Sequence, residues 1–438
     1  MDSILERTED TLKKITLYLV LIAAATSLWT GTLFAQAPRN TMPGFERAPE
    51  PIWSRHFGSA EDDGAYAVLA LDDGGFAVAG DCIDLSSEQR QMCLMRLGKH
   101  GDLIFTKQYA GSGFSSARSL QTTNDGGFVL AGSTRGPGGT GTDLYVVKTD
   151  HEGDVEWYRI SQDRGADFSQ DVVHARGGGF VSAGGNALDL TGSYNLVKMN
   201  KPGTVVWTRN FPGEQANAII EISNGRLIAV GYTKEIPDEI RPINVLREQQ
   251  MPWEADPAKK DTGLCREESA WLMTEVDWKG VERHKWTYWH SGYDVAHAVT
   301  LTEDGGYVLA GSVHGCRNRP EGYDCWVVRA DSTGDTLWTA QFGGAYEDQA
   351  YSILADADGG FIVSGITRSW GQGGADVLLY KLDGRGVVLW STTVGGPGDE
   401  IGYDVQFALE GLCVSGTTTS YGSGDTDMYL VKLEAPGP

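Results

Sequence analysis

Seven times the chain writes a glycine-bearing turn, a short apolar run and a closing glycine: DGGFAVAG (73–80), DGGFVLAG (125–132), GGGFVSAG (177–184), NGRLIAVG (224–231), DGGYVLAG (304–311), DGGFIVSG (358–365) and LEGLCVSG (409–416). The closing glycines stand 52, 52, 47, 80, 54 and 51 residues apart, so one interval is much longer than the rest. A period of this size marks a repeat architecture, in which units that cannot bury both faces alone stack against their neighbours.

Two further landmarks keep the same period. An aromatic residue opens a run at Trp53, Phe105, Trp157, Trp207, Trp286, Trp338 and Trp390. An alternating apolar run carries a basic residue near its end at Arg96, Lys148, Lys198, Arg329, Lys381 and Lys432, with Glu275 as the exception in the fourth unit. Each unit therefore holds four short strands joined by Gly, Asp and Asn turns. Four strands per unit of roughly 50 residues, seven times over, is the arithmetic of an all-β, seven-bladed β-propeller with four-stranded antiparallel blades, here spanning 51–434. In DLYVVKTDHEGDVEW (143–157), Leu144 and Val146 belong to faces packed between blades, Gly153 turns the chain, and Trp157 is expected to lie across the junction with an adjacent blade. The 58 glycines, 13 tryptophans and 41% hydrophobic content fit a folded, turn-rich chain.

These units resemble the Gly-Asp-Trp repeats of exported bacterial β-propeller proteins, and the strand-Gly-Trp phrase is similar to the tryptophan-docking motif of pyrroloquinoline-quinone-type propellers. The resemblance implies that the aromatic strand is outermost and the strand before the Gly turn innermost. Residues 51–57 would then complete the last blade beside DMYLVKLE (427–434), closing the ring. The rival arrangement keeps each aromatic strand with the three strands that follow it. No activity carries over, because the chain lacks adjacent cysteines and any matching set of cofactor residues; no quinone and no other cofactor is expected.

The formal charge of -23 argues against a nucleic-acid partner, which needs a basic face, and against an anionic membrane surface. Lys13 and Lys14 precede ITLYLVLIAAATSLWTGTLF and the small residues of LFAQAP, so 1–37 reads as an export signal, cut more readily after Ala35 than after Ala37. The alternative is an uncleaved anchor, the one case in which membrane contact would follow. Residues 38–50 form a linker and 435–438 a tail. Export places the protein in a periplasm, on a cell surface or outside the cell, where disulfides persist. Of the six cysteines, Cys82 with Cys93 and Cys316 with Cys325 are expected to bridge, since each pair falls in the same place within its repeat. Cys413, inside an apolar strand, reads as a buried thiol, and Cys265 is left over.

No HExxH, CxxC, CxxCH, P-loop or GxSxG phrase occurs. The eight histidines show no metal spacing; His290 and His297 straddle a linker but lack a third ligand, and no metal is expected. Features that recur in most units read as scaffold, and singular ones as candidates for function. Asp73, Asp125, Asp304 and Asp358 are expected to satisfy turn backbone groups, although DADGG (356–360) resembles a fragment of a calcium loop. The linkers GSAEDDGAY, GGAYEDQAY and GGPGDEIGYD gather Asp62, Asp63, Glu347, Asp348, Asp399 and Glu400 on one face, as a solvated acidic rim or a joint cation site.

The singular features are the insertion 232–269 in the fourth repeat and the aromatic stretch after it. Trp289 stands where other units carry His56, Gln108, Ile160, Asn210, Gln341 and Thr393. It is either covered by the insertion or exposed as a stacking surface with His290, Tyr293 and Trp253, an edge suited to carbohydrate or peptide. Two functions follow. The first is a non-catalytic exported module that binds or scaffolds a protein or glycan. The second is a glycan-directed hydrolase or lyase using the acidic linkers and the loop face near the insertion.

Overall fold

The computed structural model describes residues 42–435 apart from 43, 45, 85–88, 136–140, 162–166, 187–193, 236–268, 291 and 315–321. The N-terminal apolar segment, Trp253, Cys265 and Cys316 lie outside the described residues. The described residues form seven four-stranded antiparallel sheets, each a meander running outward from the inner strand. The inner strands are Gly64–Ala70, Ser115–Thr122, Asp167–His174, Gln215–Glu221, Asp294–Leu301, Asp348–Ala355 and Glu400–Ala408. The strand Pro51–Phe57 pairs with Asp427–Leu433 as the outer strand of the seventh blade, so the first strand and the last three share one sheet and the ring is closed. The clasp implied by the resemblance is the one observed, in place of the rival arrangement.

Both faces of every blade are buried, and the alternating pattern of the third strands shows how. Leu144 and Val146 join the apolar layer between the second and third blades. Tyr145 and Val147 point the other way, into the layer between the first and second. Seven such layers, one per junction, make up the core.

The recurring aromatics form a girdle across the junctions. Each ring lies on the glycine that turns the chain between the third and outer strands of the next blade: a β-carbon on Gly203 would sit 2.6 Å from the Trp157 ring, and one on Gly386 2.9 Å from Trp338. The indole N–H of Trp207 donates to Trp278 O (3.2 Å) and that of Trp338 to Gly384 O (3.1 Å), both in the turn each ring covers. The seventh blade has no such turn, because the chain ends on its third strand. Residues 42–50 take its place: Glu46 N donates to Leu389 O (2.9 Å), Ala48 packs into the last layer, and Trp390 is 1% exposed beneath them.

The basic residues of the third strands pair with the turn aspartates, Arg96 with Asp73, Lys148 with Asp125 (3.1 Å), Arg329 with Asp304 (2.6 Å) and Lys381 with Asp358 (2.7 Å). Each aspartate also accepts the backbone N–H two residues on, as expected of a turn residue. In the fourth blade the signs are reversed. Arg226 replaces the turn's second glycine and reaches Glu275, which also meets His284 Nδ1 at 2.9 Å.

The expected disulfides require correction. Cys93 faces Gly80 and Cys82 faces Gln91 across the same strand pair, so they are diagonal neighbours. The Cys82 thiol lies beside that of Cys93, but both cysteines are free thiols. Cys325 faces Ser312, one position out of step with Cys93, so the two point to opposite faces of their blades. Cys325 and Cys413 are buried free thiols.

Candidate functional site

The inner strands carry the same irregularity seven times. One residue bulges out of the pairing with the second strand: Tyr66, Arg118, Gln170, Asn217, His297, Tyr351 and Tyr403. A bulge leaves its residue unpaired and re-aims the side chain. All seven line a cavity on the propeller axis of about 450 Å³.

The closing glycines of the repeat exist for this bulge. A β-carbon on Gly80, Gly132, Gly184, Gly231, Gly311, Gly365 or Gly416 would overlap the backbone carbonyl two residues before the bulged residue. The requirement is close approach of two backbones. The most regular letter of the repeat thus fixes where its most variable letter points.

Around the ring the bulged side chains form an aromatic arc. The Arg118 guanidinium lies 3.9 Å over the Tyr66 ring, Tyr66 is 5.1 Å from Tyr403, Tyr403 is 5.6 Å from Tyr351, and Tyr351 is 5.2 Å from His297. Gln170 and Asn217 complete the circle with amides, and Asn217 Nδ2 donates to Ala296 O (2.8 Å). Above the ring, the mouth is lined from the fourth to the sixth blade by Gln215, Tyr232, Tyr293, Tyr323 and Gln349. The fourth-blade insertion leaves after the strand Leu227–Thr233 and returns at Ser269, which bridges to Tyr293, so both its roots stand beside this mouth.

Protein surrounds the ring, and burial sets its ionisation. It depresses His297 to about 4, leaving a neutral imidazole at neutral pH, and pushes the Tyr66 and Tyr351 phenols well above their usual range. A second layer of the inner strands holds Asp171 and Asp404, both raised to about 6 by burial. Asp171 accepts from Ser119 Oγ (2.6 Å) and Ile219 N (2.9 Å), and Asp404 from Ser352 Oγ (3.0 Å) and Val68 N (3.1 Å). Each carboxyl therefore ties three consecutive blades together.

Of the residues singled out from sequence, Tyr293 lines the pocket, with its ring 5.7 Å from Tyr232. Trp289 is half-buried and His290 sets its ring edge-on to Trp326 (5.7 Å); neither lines the pocket. The acidic linkers are only partly a solvated rim. Asp63, Asp348 and Glu400 are at most 2% exposed, and each accepts a backbone N–H from four residues earlier, from Ser59 (2.6 Å), Gly344 (2.7 Å) and Gly396 (2.5 Å). They brace the loops that enter the inner strands. Asp62 pairs with Arg90 (3.2 Å), and Glu347 and Asp399 share Arg368. Asp150, Glu152 and Asp154 cluster on an exposed turn, where Lys107 binds Asp154 (2.7 Å).

The ring escaped the sequence reading, although a signal for it was present. Tyr66 precedes Gly80 by the same interval as Arg118 precedes Gly132 and His297 precedes Gly311, with a different side chain each time. A position fixed in place and variable in chemistry is what a binding ring on a repeat scaffold requires.

No family model matches the chain, and no curated protein does. Among solved structures it is similar to the WD40 β-propeller domain of Doa1, at 12% identity and a TM-score of 0.54, covering 89% of this chain and 97% of that one. It is likewise similar to the WD40 domain of Neurospora crassa Pan2, at 11% identity and a TM-score of 0.53, covering 90% and 98%. At such identity the likeness is one of fold, and by fold this chain is a seven-bladed β-propeller.

Proposed function

We propose that this protein is an exported, non-catalytic binding module that receives a polar group of a glycan or protein partner in its axial pocket. The observation that carries this reading is the convergence of seven bulged side chains, of five kinds, on one cavity, each held on a rigid strand. The lining offers aromatic faces, amides and one guanidinium. The nearby carboxyls Asp81, Asp171 and Asp404 accept hydrogen bonds from Ser116, Ser119 and Ser352, whereas glycoside hydrolysis needs two carboxyl groups facing the scissile bond.

Panels of oligosaccharides and short peptides test the reading. Binding without turnover, lost in the double variant Tyr351→Ala/Tyr403→Ala, is expected. Release of a cleaved product would overturn the non-catalytic half, and binding that survives both substitutions would overturn the pocket. Export rests on Lys13, Lys14 and the apolar run after them. N-terminal sequencing of the mature chain is expected to begin at Gln36, and a retained Met1 would contradict it.

A further inference from the structure

We infer that the group seated in the axial pocket is a saccharide unit bearing a single carboxylate, a uronic acid, with Arg118 receiving the carboxylate; the inference rests on the axial pocket being the binding site. Three observations lead there.

The first is the state of Arg118. Its side chain is exposed and lines the cavity, with the guanidinium 3.9 Å over the Tyr66 ring. Among the described residues no carboxylate stands within ion-pair distance of it. Asp81, the acid whose field it feels, is held by Arg90 (3.2 Å) and Ser116 (2.8 Å). A guanidinium stacked on an aromatic face keeps its N–H fork free in its own plane, the geometry that matches a carboxylate. His297 is neutral and adds no second cation, so the ring presents one positive charge.

The second is the chemistry of the other lining residues. Amides at Gln170, Gln215, Asn217 and Gln349 share the lining with the tyrosines, the last three each also held by a hydrogen bond within the protein, and Val295 is the one aliphatic side chain in the described lining. An apolar peptide side chain matches the tyrosine faces but leaves the amides without partners. A sugar ring matches both sides, with hydroxyls for the amides and a C–H face for the tyrosines. The cavity of about 450 Å³ is within the range that holds a small ligand.

The third is the molecule's formal charge of -23, which repels a polyanion and tolerates one carboxylate drawn into a local positive site.

Calorimetric titration tests the inference with three probes: a disaccharide carrying one terminal glucuronate, its methyl ester, and a dipeptide with a free carboxylate. The acid is expected to bind about tenfold or more tighter than the ester, as a charge-assisted hydrogen bond predicts. Arg118→Gln should abolish the difference between acid and ester, and Arg118→Lys should recover part of it. Equal binding of acid and ester, or an acid affinity indifferent to Arg118→Gln, would overturn the inference, while ester binding that still needs Tyr351 and Tyr403 would leave the binding-module reading standing. Binding of the dipeptide in place of both sugars would overturn the saccharide assignment alone. Binding of none of the three would remove the inference, and the panels above then decide the module reading separately.

Discussion

A tryptophan that recurs every blade says only that something large must be buried; what it rests on is set by a glycine some 46 residues further on, in the next blade. At Gly203, φ is +76° and the Trp157 ring would meet any β-carbon, whereas at Gly126, φ is +82° with open space around it. Gly126→Ala is therefore expected to cost about 1–2 kcal/mol, the penalty of a left-handed backbone alone. Gly203→Ala adds the displacement of an indole and should cost at least about 1 kcal/mol more, measurable as a difference in denaturant midpoint; equal losses would mean that the indole is not clamped. The Arg226–Glu275 pair makes a second point. The run of basic residues broken by Glu275 is visible in sequence, but its compensation by Arg226 is not, because Arg226 sits in a turn and Glu275 on a strand 49 residues further along the chain. Glu275 is 3% exposed, so Glu275→Lys, which leaves two cations together, should cost roughly 1–3 kcal/mol. Adding Arg226→Gly and Asn224→Asp restores the arrangement of the other blades and should recover most of that loss. Failure to recover would show that His284, the third member of the group, fixes the orientation.

At the scale of the strand, the glycine-terminated run and the alternating run were legible because each is a local pattern with period two, buried on both sides. Element order and blade number followed from counting, and the closing clasp from the resemblance to known propellers. The bulge was not legible, since it exists only between two strands: nothing in GAYAV marks Tyr66 as unpaired until Gly80 is laid against the carbonyl of Gly64. For the same reason the singular Trp289 drew attention away from the ring, and among the described residues of its group only Tyr293 lines the pocket. The supposed equivalence of Cys93 and Cys325 failed on register, where a shift of one residue exchanges the faces of a strand. The second layer of the inner strands makes a pH prediction. Asp171, Asp348 and Asp404 have folded values near 6, above an unfolded carboxylate near 4. Between these values the folded state holds more protons than the unfolded one, so stability falls as pH rises through this window. His297 opposes them: its folded value of about 4 lies below an unfolded histidine near 6.5, so it adds stability as pH rises from 4 to 6.5. His297→Gln is thus expected to steepen the fall of unfolding midpoint with pH, and Asp404→Asn to flatten it. Parallel profiles for the two variants would show that these groups titrate normally.

Across the whole molecule, a closed ring has to supply at its seam what every other junction receives from continuous chain. Strand pairing is supplied by Pro51–Phe57 beside Asp427–Leu433, with Glu434 N donating to Glu50 O (2.9 Å), and Asp404 bridges the sixth, seventh and first inner strands. The girdle is the harder part, because six aromatics dock on a turn glycine of the next blade and Trp390 has no such turn. Residues 42–50 act as a prosthetic turn, so this segment belongs to the fold although it lies outside every repeat. Deleting it while keeping Pro51–Phe57 should uncover Trp390 and cost roughly 1–3 kcal/mol, the order of one large apolar side chain returned to water. In the intact chain Trp390→Ala should cost about 3–5 kcal/mol, as for a buried aromatic. Once the segment is gone the same substitution removes a ring that already faces solvent and should cost less. A double-mutant cycle in denaturant therefore predicts a coupling of about 1 kcal/mol or more between residues 42–50 and Trp390. The same deletion made with Trp157→Ala, whose turn is intact, should be additive. Additivity at both tryptophans would mean that the seam closes through its strands alone and that the N-terminal segment merely lies on the surface.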